Sequence, residues 1–425
     1  MSELTEIFSS RRCVMSPLPQ CPWANEMVLN PGVIRAPDTG RLHMLFRATG
    51  SGRESGEPPT SDWGYPIFLG YAFSDDDGET WQVDAERPAM CPALATEPKQ
   101  LMTTDAWGRR TPNFANGCIE DPRLFWFEGE CHLIVACRVF APGAYWMRDD
   151  PMQCAPAWAS DPGHGLGRGL TENVTVNLIY RVDLGELEAR KYDRAFAYVT
   201  HLTDPAYGEN RDVLLFPRRL EIDRRPRVVC LHRPWEASHY VGGASVTKPS
   251  IWYSVADSIG ELATDAASHY LLAKPTFDWE SNRIGGSAPP IEIEPGRWLI
   301  SYHGKQDARV GYTQSVMVVE EGGREPLTLR HRCPERLLTP TEDWEQPGKF
   351  TTPCLFVTAL LAEATGPWRV FYGASDERIG IAECAPGRLL DKVRRYDATG
   401  RRLSAADGVS SGMQKRRMSA ATPVI

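Results

Sequence analysis

The chain has 425 residues, 42% hydrophobic and 10% aromatic, which is ample for a large packed core. A net charge of −8 argues against nucleic acid or an anionic membrane as a general partner, although an anion can bind wherever positive charge is concentrated locally. The 36 glycines and 34 prolines indicate many turns, and so many short strands rather than long helices.

Residues 1–24 read as an N-terminal extension. They start with acids, with no basic stretch leading into an apolar one, so no secretory signal is expected. No apolar run has the length of a membrane span. The 11 cysteines form no C-x-x-C pair, which suggests reduced thiols in a cytoplasmic protein.

From residue 25 a short β-type run recurs, each time ending on polar residues. It appears as Arg41 to Arg47, Glu130 to Arg138, Arg227 to Arg233, Arg297 to His303 and Trp368 to Asp376. A second strand follows each, at Leu69 to Asp75, Val176 to Asp183, Ser250 to Asp257, Gln314 to Val319 and Arg378 to Glu383. Ser74-Asp75-Asp76-Asp77-Gly78-Glu79-Thr80-Trp81 fits an S-x-D-x-G-x-T-W turn, in which Ser, Asp and Thr side chains bond the hairpin and the Trp packs beneath. Five such units predict an all-β chain, a five-bladed β-propeller with a central funnel-shaped active site over 25–397. The first recurring run is taken as the innermost strand, so that Arg47, Arg138, Arg233, His303 and Asp376 converge on the axis. The aromatic-bearing stretch 140–172 reads as a long loop suited to a lid. Positions 50–62 form a second loop, and 398–425 a tail.

The candidate chemistry centres on Glu120-Asp121-Pro122-Arg123. Pro122 biases Asp121 toward extended geometry, and a carboxylate on a stiff turn is well placed to act as a general acid. The bland reading is a turn carboxylate paired to Arg123. Asn30, Arg47, Tyr372 and Asp376 supply partners and an aromatic wall for a sugar ring. Glu120, Arg123 and Arg138 complete that side, Glu120 as a positioning residue. A cationic set, Arg211, Arg233 and Arg283 with His303 and Tyr312, calls for an anion, and phosphate suits arginine forks. The competing reading pairs these arginines with Glu221, Asp223 or Glu280 inside the blades. No histidine pair has metal-ligand spacing and no dinucleotide fingerprint follows a strand, so neither a metal nor an organic cofactor is expected.

Taken together, Asn30-Pro31, Phe46-Arg47, Glu120-Asp121-Pro122-Arg123, Asn210-Arg211-Asp212 through Arg218-Arg219, His232-Arg233-Pro234, Arg283-Ile284-Gly285-Gly286, Tyr302-His303-Gly304 and Phe371 to Asp376 resemble, in order, the motifs of glycoside hydrolase family 130. The resemblance implies a five-bladed propeller and an inverting β-mannoside phosphorylase. Asp121 would be the general acid, with a sugar hydroxyl as proton relay in some members. Asn30, Arg47 and Asp376 would hold the mannosyl unit, and Arg211, Arg233, Arg283, His303 and Tyr312 would hold inorganic phosphate, the co-substrate. Arg283 stands where the family usually has Lys. An inverting hydrolase keeps its two carboxyls roughly 6.5–9.5 Å apart, whereas a phosphorylase needs no second carboxylate because phosphate is already an anion. Two alternatives stay open: a hydrolase, kept alive by Asp212 and Glu221, and a carbohydrate-binding propeller without turnover. The expected partners are an oligosaccharide and phosphate, with no nucleic acid and no membrane; homo-oligomerisation is left open.

Overall fold

The computed structural model describes residues 3–50, 67–95, 97–141, 172–307, 310–323, 325–348 and 352–404. The expected lid over 140–172, the loop over 50–62 and most of the C-terminal tail fall outside them. Five antiparallel sheets form the blades of a propeller. Blade one is Met27–Arg35, Leu42–Thr49, Ile67–Ser74 and Gln82–Val83; blade two is Cys118–Phe127, Glu130–Arg138, Val176–Val182 and Phe196–His201. Blade three is Asn210–Leu215, Arg225–Pro234, Ile251–Ala256 and Ser268–Ala273; blade four is Arg283–Gly286, Arg297–Lys305, Tyr312–Glu321 and Leu327–Arg332. Each of these two carries a further short strand, Leu220–Ile222 and Ile291–Glu294 respectively. Blade five is Leu355–Leu361, Trp368–Ala374 and Arg378–Cys384, and its outermost strand is the N-terminal Phe8–Met15.

That last pairing alters the expected role of residues 1–24. Phe8–Met15 runs antiparallel to Arg378–Cys384, from Phe8 opposite Cys384 to Met15 opposite Ile379. It covers a sheet edge that would otherwise be open. Arg11 anchors it by bonding the buried Glu345 carboxylate at 2.7 Å. Phe8–Met15 and the three strands from Leu355 to Cys384 therefore complete one blade and close the ring.

The core is distributed among the five contacts between neighbouring blades. Leu45 packs with Leu133 and Val135 between blades one and two, while Met44 and Phe46 on either side of it pack with Phe371 and Ile379 of blade five. Ile134 meets Val213 and Cys230; Val229 and Leu231 meet Trp298 and Ile300; Leu299 meets Leu355 and Val370. Alternate side chains of a strand point to opposite faces, and here both faces are covered. That is why the recurring runs are near-continuous apolar stretches. The Ser74 turn forms as expected: Ser74 Oγ donates to Asp76 at 2.8 Å, and Trp81 sits edge-on to Phe371 at 5.9 Å.

The recurring run is the second strand of each blade, not the innermost. The innermost strands are harder to read because bulges break four of them, between Leu29 and Gly32, Glu120 and Arg123, Arg211 and Leu214, and Val357 and Ala359. Three of these bulges hold a residue at positive φ: Asn30 at 47°, Asp121 at 50° and Asp212 at 57°. Asp121 is therefore left-handed, not extended. Asn and Asp tolerate this region better than other side-chain-bearing residues, and the bulge re-aims the side chain. The inner strands approach closely: a Cβ on Gly32 would lie 2.8 Å from Pro122 O. No helix among the described residues is long and apolar enough to cross a membrane.

Candidate active site

The bulged strands and the ends of the second strands enclose a cavity of about 710 Å³. It contains Asn30, Arg47, Glu120, Asp121, Arg138, Arg211, Arg233, Arg283, Tyr312 and Asp376, ten of the residues singled out in the sequence. Glu209, Asp212, Trp235, Lys305 and Phe356 complete its lining.

One wall is built around Asp121. Asn30 Nδ2 donates to Asp121 Oδ1 at 2.8 Å, and Arg47 Nη1 reaches the same oxygen at 3.1 Å. Arg47 Nη1 also lies 3.2 Å from Glu120 Oε2, which Arg211 approaches at 3.5 Å. Asn30 Oδ1 is buried and bonds no donor among the described residues. Burial favours the neutral acid for both Glu120 and Asp121, but Arg47 and Arg211 together, joined by Arg138 at Glu120 and by Arg123 and the Asn30 hydrogen bond at Asp121, hold both carboxyls below their usual range. Asp376 behaves oppositely. Burial and the neighbouring Asp121 charge push it up, against the pull of Arg47. Two carboxyl groups of one cavity are thus driven apart in acidity.

The other wall is cationic. Arg211 Nε bonds Glu209 at 2.8 Å, and Arg138 reaches the same carboxylate at 3.2 Å. Burial pushes the Glu209 carboxyl up, but these two arginines bring it down to about 2. Arg233 bonds Asp212 at 2.5 Å. Arg283 donates to Tyr312 Oη at 3.1 Å and to the Asn282 side chain at 2.8 Å. Lys305 lies 5.4 Å from the Tyr312 ring centre. Neither Arg283 nor Lys305 has a carboxylate in ion-pairing reach among the described residues. Trp235 stands at the edge of this wall, 51% exposed, with the Arg283 guanidinium 5.5 Å from its ring centre.

Three predicted site residues do not line the cavity. Arg123 lies under it, bonding Ser287 O of blade four at 2.7 Å with its guanidinium 5.3 Å from the Phe356 ring of blade five. It ties three blades together across the axis. His303 is fully buried behind Asp212, its Nε2 3.4 Å from Asp212 Oδ2. Tyr372 is also fully buried and donates to Glu345 at 2.7 Å, toward the Arg11 anchor. The carboxylates that pair with the cavity arginines are Glu209, Asp212, Glu120 and Asp121. Glu221 is exposed on blade three, and Glu280 pairs with Arg332 at 2.7 Å. Lys305 follows Tyr302-His303-Gly304 directly and was readable as the end of that strand. Glu209 and Phe356 carry no comparable local signal.

A second hollow, of about 440 Å³, is lined by apolar side chains. Its charged residues, Arg218 and Glu292, bond each other, so it offers no free group for chemistry.

A propeller cavity lined by interleaved carboxylates and arginines is a polar site suited to a hydroxyl-rich or anionic ligand. The sequence profile of glycoside hydrolase family 130, described as β-1,4-mannooligosaccharide phosphorylase, matches residues 190–395. The β-1,2-mannobiose phosphorylase of Thermoanaerobacter sp. (strain X514) is 24% identical over 383 residues, 90% of this chain and 97% of that protein. The β-1,4-mannooligosaccharide phosphorylase of Ruminococcus albus is 29% identical over 195 residues, 44% of this chain and 52% of that one. The structure of the Listeria innocua β-1,2-mannobiose phosphorylase in complex with β-1,2-mannobiose superposes with a TM-score of 0.55 at 16% identity, covering 90% of this chain and 93% of that one. A structure from a study of family 130 glycoside hydrolases that target β-1,2-mannosidic linkages in Candida mannan gives the same TM-score at 15% identity, over 89% and 95% of the two chains. These two structural likenesses establish the shared propeller. Over its C-terminal half the chain is identified by the profile of glycoside hydrolase family 130, and along most of its length it is similar to mannoside phosphorylases.

Proposed function

We propose that this enzyme is an inverting phosphorylase that cleaves a β-mannoside with inorganic phosphate and releases mannose 1-phosphate. The observation that carries the reading is the pair Arg283 and Lys305, which line the same cavity as Asp121 with no carboxylate in ion-pairing reach among the described residues. Half-buried cations without a counter-ion attract an anion, and an oxyanion with several acceptor oxygens suits them well. Asn30, Arg47 and Asp376 bind the mannosyl unit. Arg211, Arg233, Arg283, Lys305 and Tyr312 hold phosphate beneath its anomeric carbon. A phosphate oxygen attacks that carbon as the glycosidic C–O bond breaks, and the proton of Asp121 passes to the leaving oxygen, directly or through a sugar hydroxyl. Because the nucleophile is already an anion, no second carboxylate has to act as base. The reaction uses no organic cofactor, and we place it in the cytoplasm, where free thiols stay reduced.

Asp121 must carry a proton to act in this way, although Arg47 and its neighbouring cations favour its ionised form. Bound phosphate adds negative charge opposite Asp121 and offsets the arginines that depress it, raising its pKa toward a working acid. Hydrolysis is the second reading, favoured by the carboxylates of Asp212 and Glu209 on the cation wall. Incubating β-1,2- and β-1,4-mannobiose with and without phosphate separates the two. Mannose 1-phosphate formed only with phosphate supports phosphorolysis; free mannose formed at equal rates in both refutes it.

A further inference from the structure

Besides Glu209, which bridges Arg211 and Arg138, the cation wall contains a more deeply buried carboxylate, Asp212, that anion binding alone does not require. Asp212 Oδ2 accepts from Arg233 Nε at 2.5 Å and lies 3.4 Å from His303 Nε2. Oδ1 bonds no donor among the described residues, and the side chain, 7% exposed, lines the cavity. Two further features of the fold hold it there. The bulge gives Asp212 a φ of 57°, which directs its side chain inward. Gly285 makes room for it, since a Cβ there would lie 2.0 Å from Oδ2. Burial opposes its charge, but Arg233 and His303 overcome that and keep the carboxyl far below the usual range.

A fixed carboxylate repels any bare anion. It suits an anion that carries its own proton. Near neutral pH phosphate is largely a dianion with one P–OH group, whereas sulfate has the same charge, shape and nearly the same size but no proton. Arginine and lysine donate equally to both, so the cationic residues cannot distinguish them. An acceptor with no proton of its own can, because it bonds the P–OH and opposes the corresponding oxygen of sulfate.

We propose that Asp212 is the specificity-determining residue of the anion subsite, accepting a hydrogen bond from the protonated oxygen of phosphate or arsenate and excluding sulfate. The proposal rests on the phosphorolysis reading. The same carboxylate could instead serve hydrolysis as a base for water, and the experiment separates the two roles.

Initial rates on mannobiose are measured with phosphate as co-substrate and sulfate as competitor, for the wild type, Asp212→Asn and Asp212→Ser, with arsenate as the protonated control. In the wild type the inhibition constant of sulfate should exceed the KM of phosphate by roughly 100-fold, the scale of one charged hydrogen bond, while arsenate replaces phosphate. Asparagine can donate toward a bare oxygen, and serine carries no charge. Both variants should bring sulfate within about tenfold of phosphate. If a variant turns over too slowly, calorimetric titration with sulfate and with phosphate yields the same ratio. Equal competition in the wild type, or a ratio unchanged in both variants, overturns the proposal while leaving phosphorolysis standing. Phosphate-independent release of mannose that Asp212→Asn abolishes makes Asp212 a base and overturns both.

Discussion

Asp121→Asn isolates proton donation from binding. Asp121 Oδ1 accepts from Asn30 and Arg47, and no donor among the described residues bonds Oδ2. The asparagine carbonyl can keep both bonds while its amide takes the place of the free oxygen. Arg47 keeps Glu120 as a partner at 3.2 Å. The fold should therefore survive, with stability changed by no more than about 1–2 kcal/mol. Loss of a positioned acid costs roughly 10²–10⁴ in rate, so kcat on mannobiose plus phosphate should fall by that factor. An aryl β-mannoside with an acidic phenol leaves without protonation and should retain most of its rate. Comparing the two substrates is the assay. Equal loss on both would mean that Asp121 holds the sugar rather than donating a proton, and more than a tenth of wild-type activity on mannobiose would refute the assignment. The pH profile adds a second readout. Wild-type activity should fall as pH rises through the pKa of Asp121, and that limb should vanish in the variant. Because phosphate raises this pKa, the limb should lie at higher pH in kcat than in kcat/KM.

Two further expectations concern stability. His232 is buried among Asn210, Tyr240, Trp252 and His269, and burial pushes its pKa well below the ordinary value, with His269 adding to the shift. Below about pH 6.5 the unfolded chain binds a proton that the folded one refuses, so stability falls by about 1.4 kcal/mol for each pH unit of descent. Burial also depresses His43, His132, His201, His269 and His303, which add to the slope of urea stability between pH 7.5 and 5, so His232→Phe should reduce that slope by about this amount; an identical slope in the variant would dismiss the assignment. Arg11→Met leaves the Glu345 carboxylate, 0% exposed, without its cation. Breaking such a buried pair costs about 3–5 kcal/mol, so urea unfolding should register a loss of that size while kcat/KM at low temperature stays unchanged. A loss below about 1 kcal/mol would show that the N-terminal strand is held mainly by its backbone pairing.

The fold was legible because two strands in each blade bury both faces. Leu42–Thr49 and Ile67–Ser74 read as apolar runs ending on polar residues, and counting such runs yields five blades. What stayed hidden lies on the axis and at the chain start. Innermost strands are interrupted by bulges, so Asn30, Asp121 and Asp212 show no alternation that would mark them as strand residues. Phe8–Met15 has a mixed pattern because it is the outermost strand, with one flank open to solvent. In the site, residues at the ends of apolar runs, Arg47, Arg138, Arg233 and Asp376, reach the cavity as strand geometry requires. His303 sits at an equivalent position, yet its ring turns behind Asp212, because Gly285 and Asp212 occupy the space in front of it. Tyr372 alternates away from the axis into the contact between blades four and five. A strand's end locates a residue, but the parity of the strand and the bulk of its neighbour decide whether it faces the ligand.

The bulges explain how one scaffold could support both phosphorolysis and hydrolysis. Asn30 and Asp121 are 91 residues apart, and Asp212 follows at the same interval. All three occupy the left-handed position of a bulge on the innermost strand, in blades one, two and three. The backbone sets where each short side chain points, so its chemistry can change with little demand on the core behind it. In blade one the position carries an amide whose free carbonyl suits a sugar hydroxyl. In blade two it carries a carboxyl close enough to Arg47 that its protonation depends on what occupies the opposite wall. In blade three it carries a carboxylate locked in the charged state by Arg233. Exchanging that third residue alters the charge presented to the nucleophile by a whole unit while Arg211 and Arg283 stay in place. On the proposed reading, the choice between phosphate and water turns on one bulge residue whose backbone position is fixed, and its pairing with Arg233 ties that choice to the core behind it.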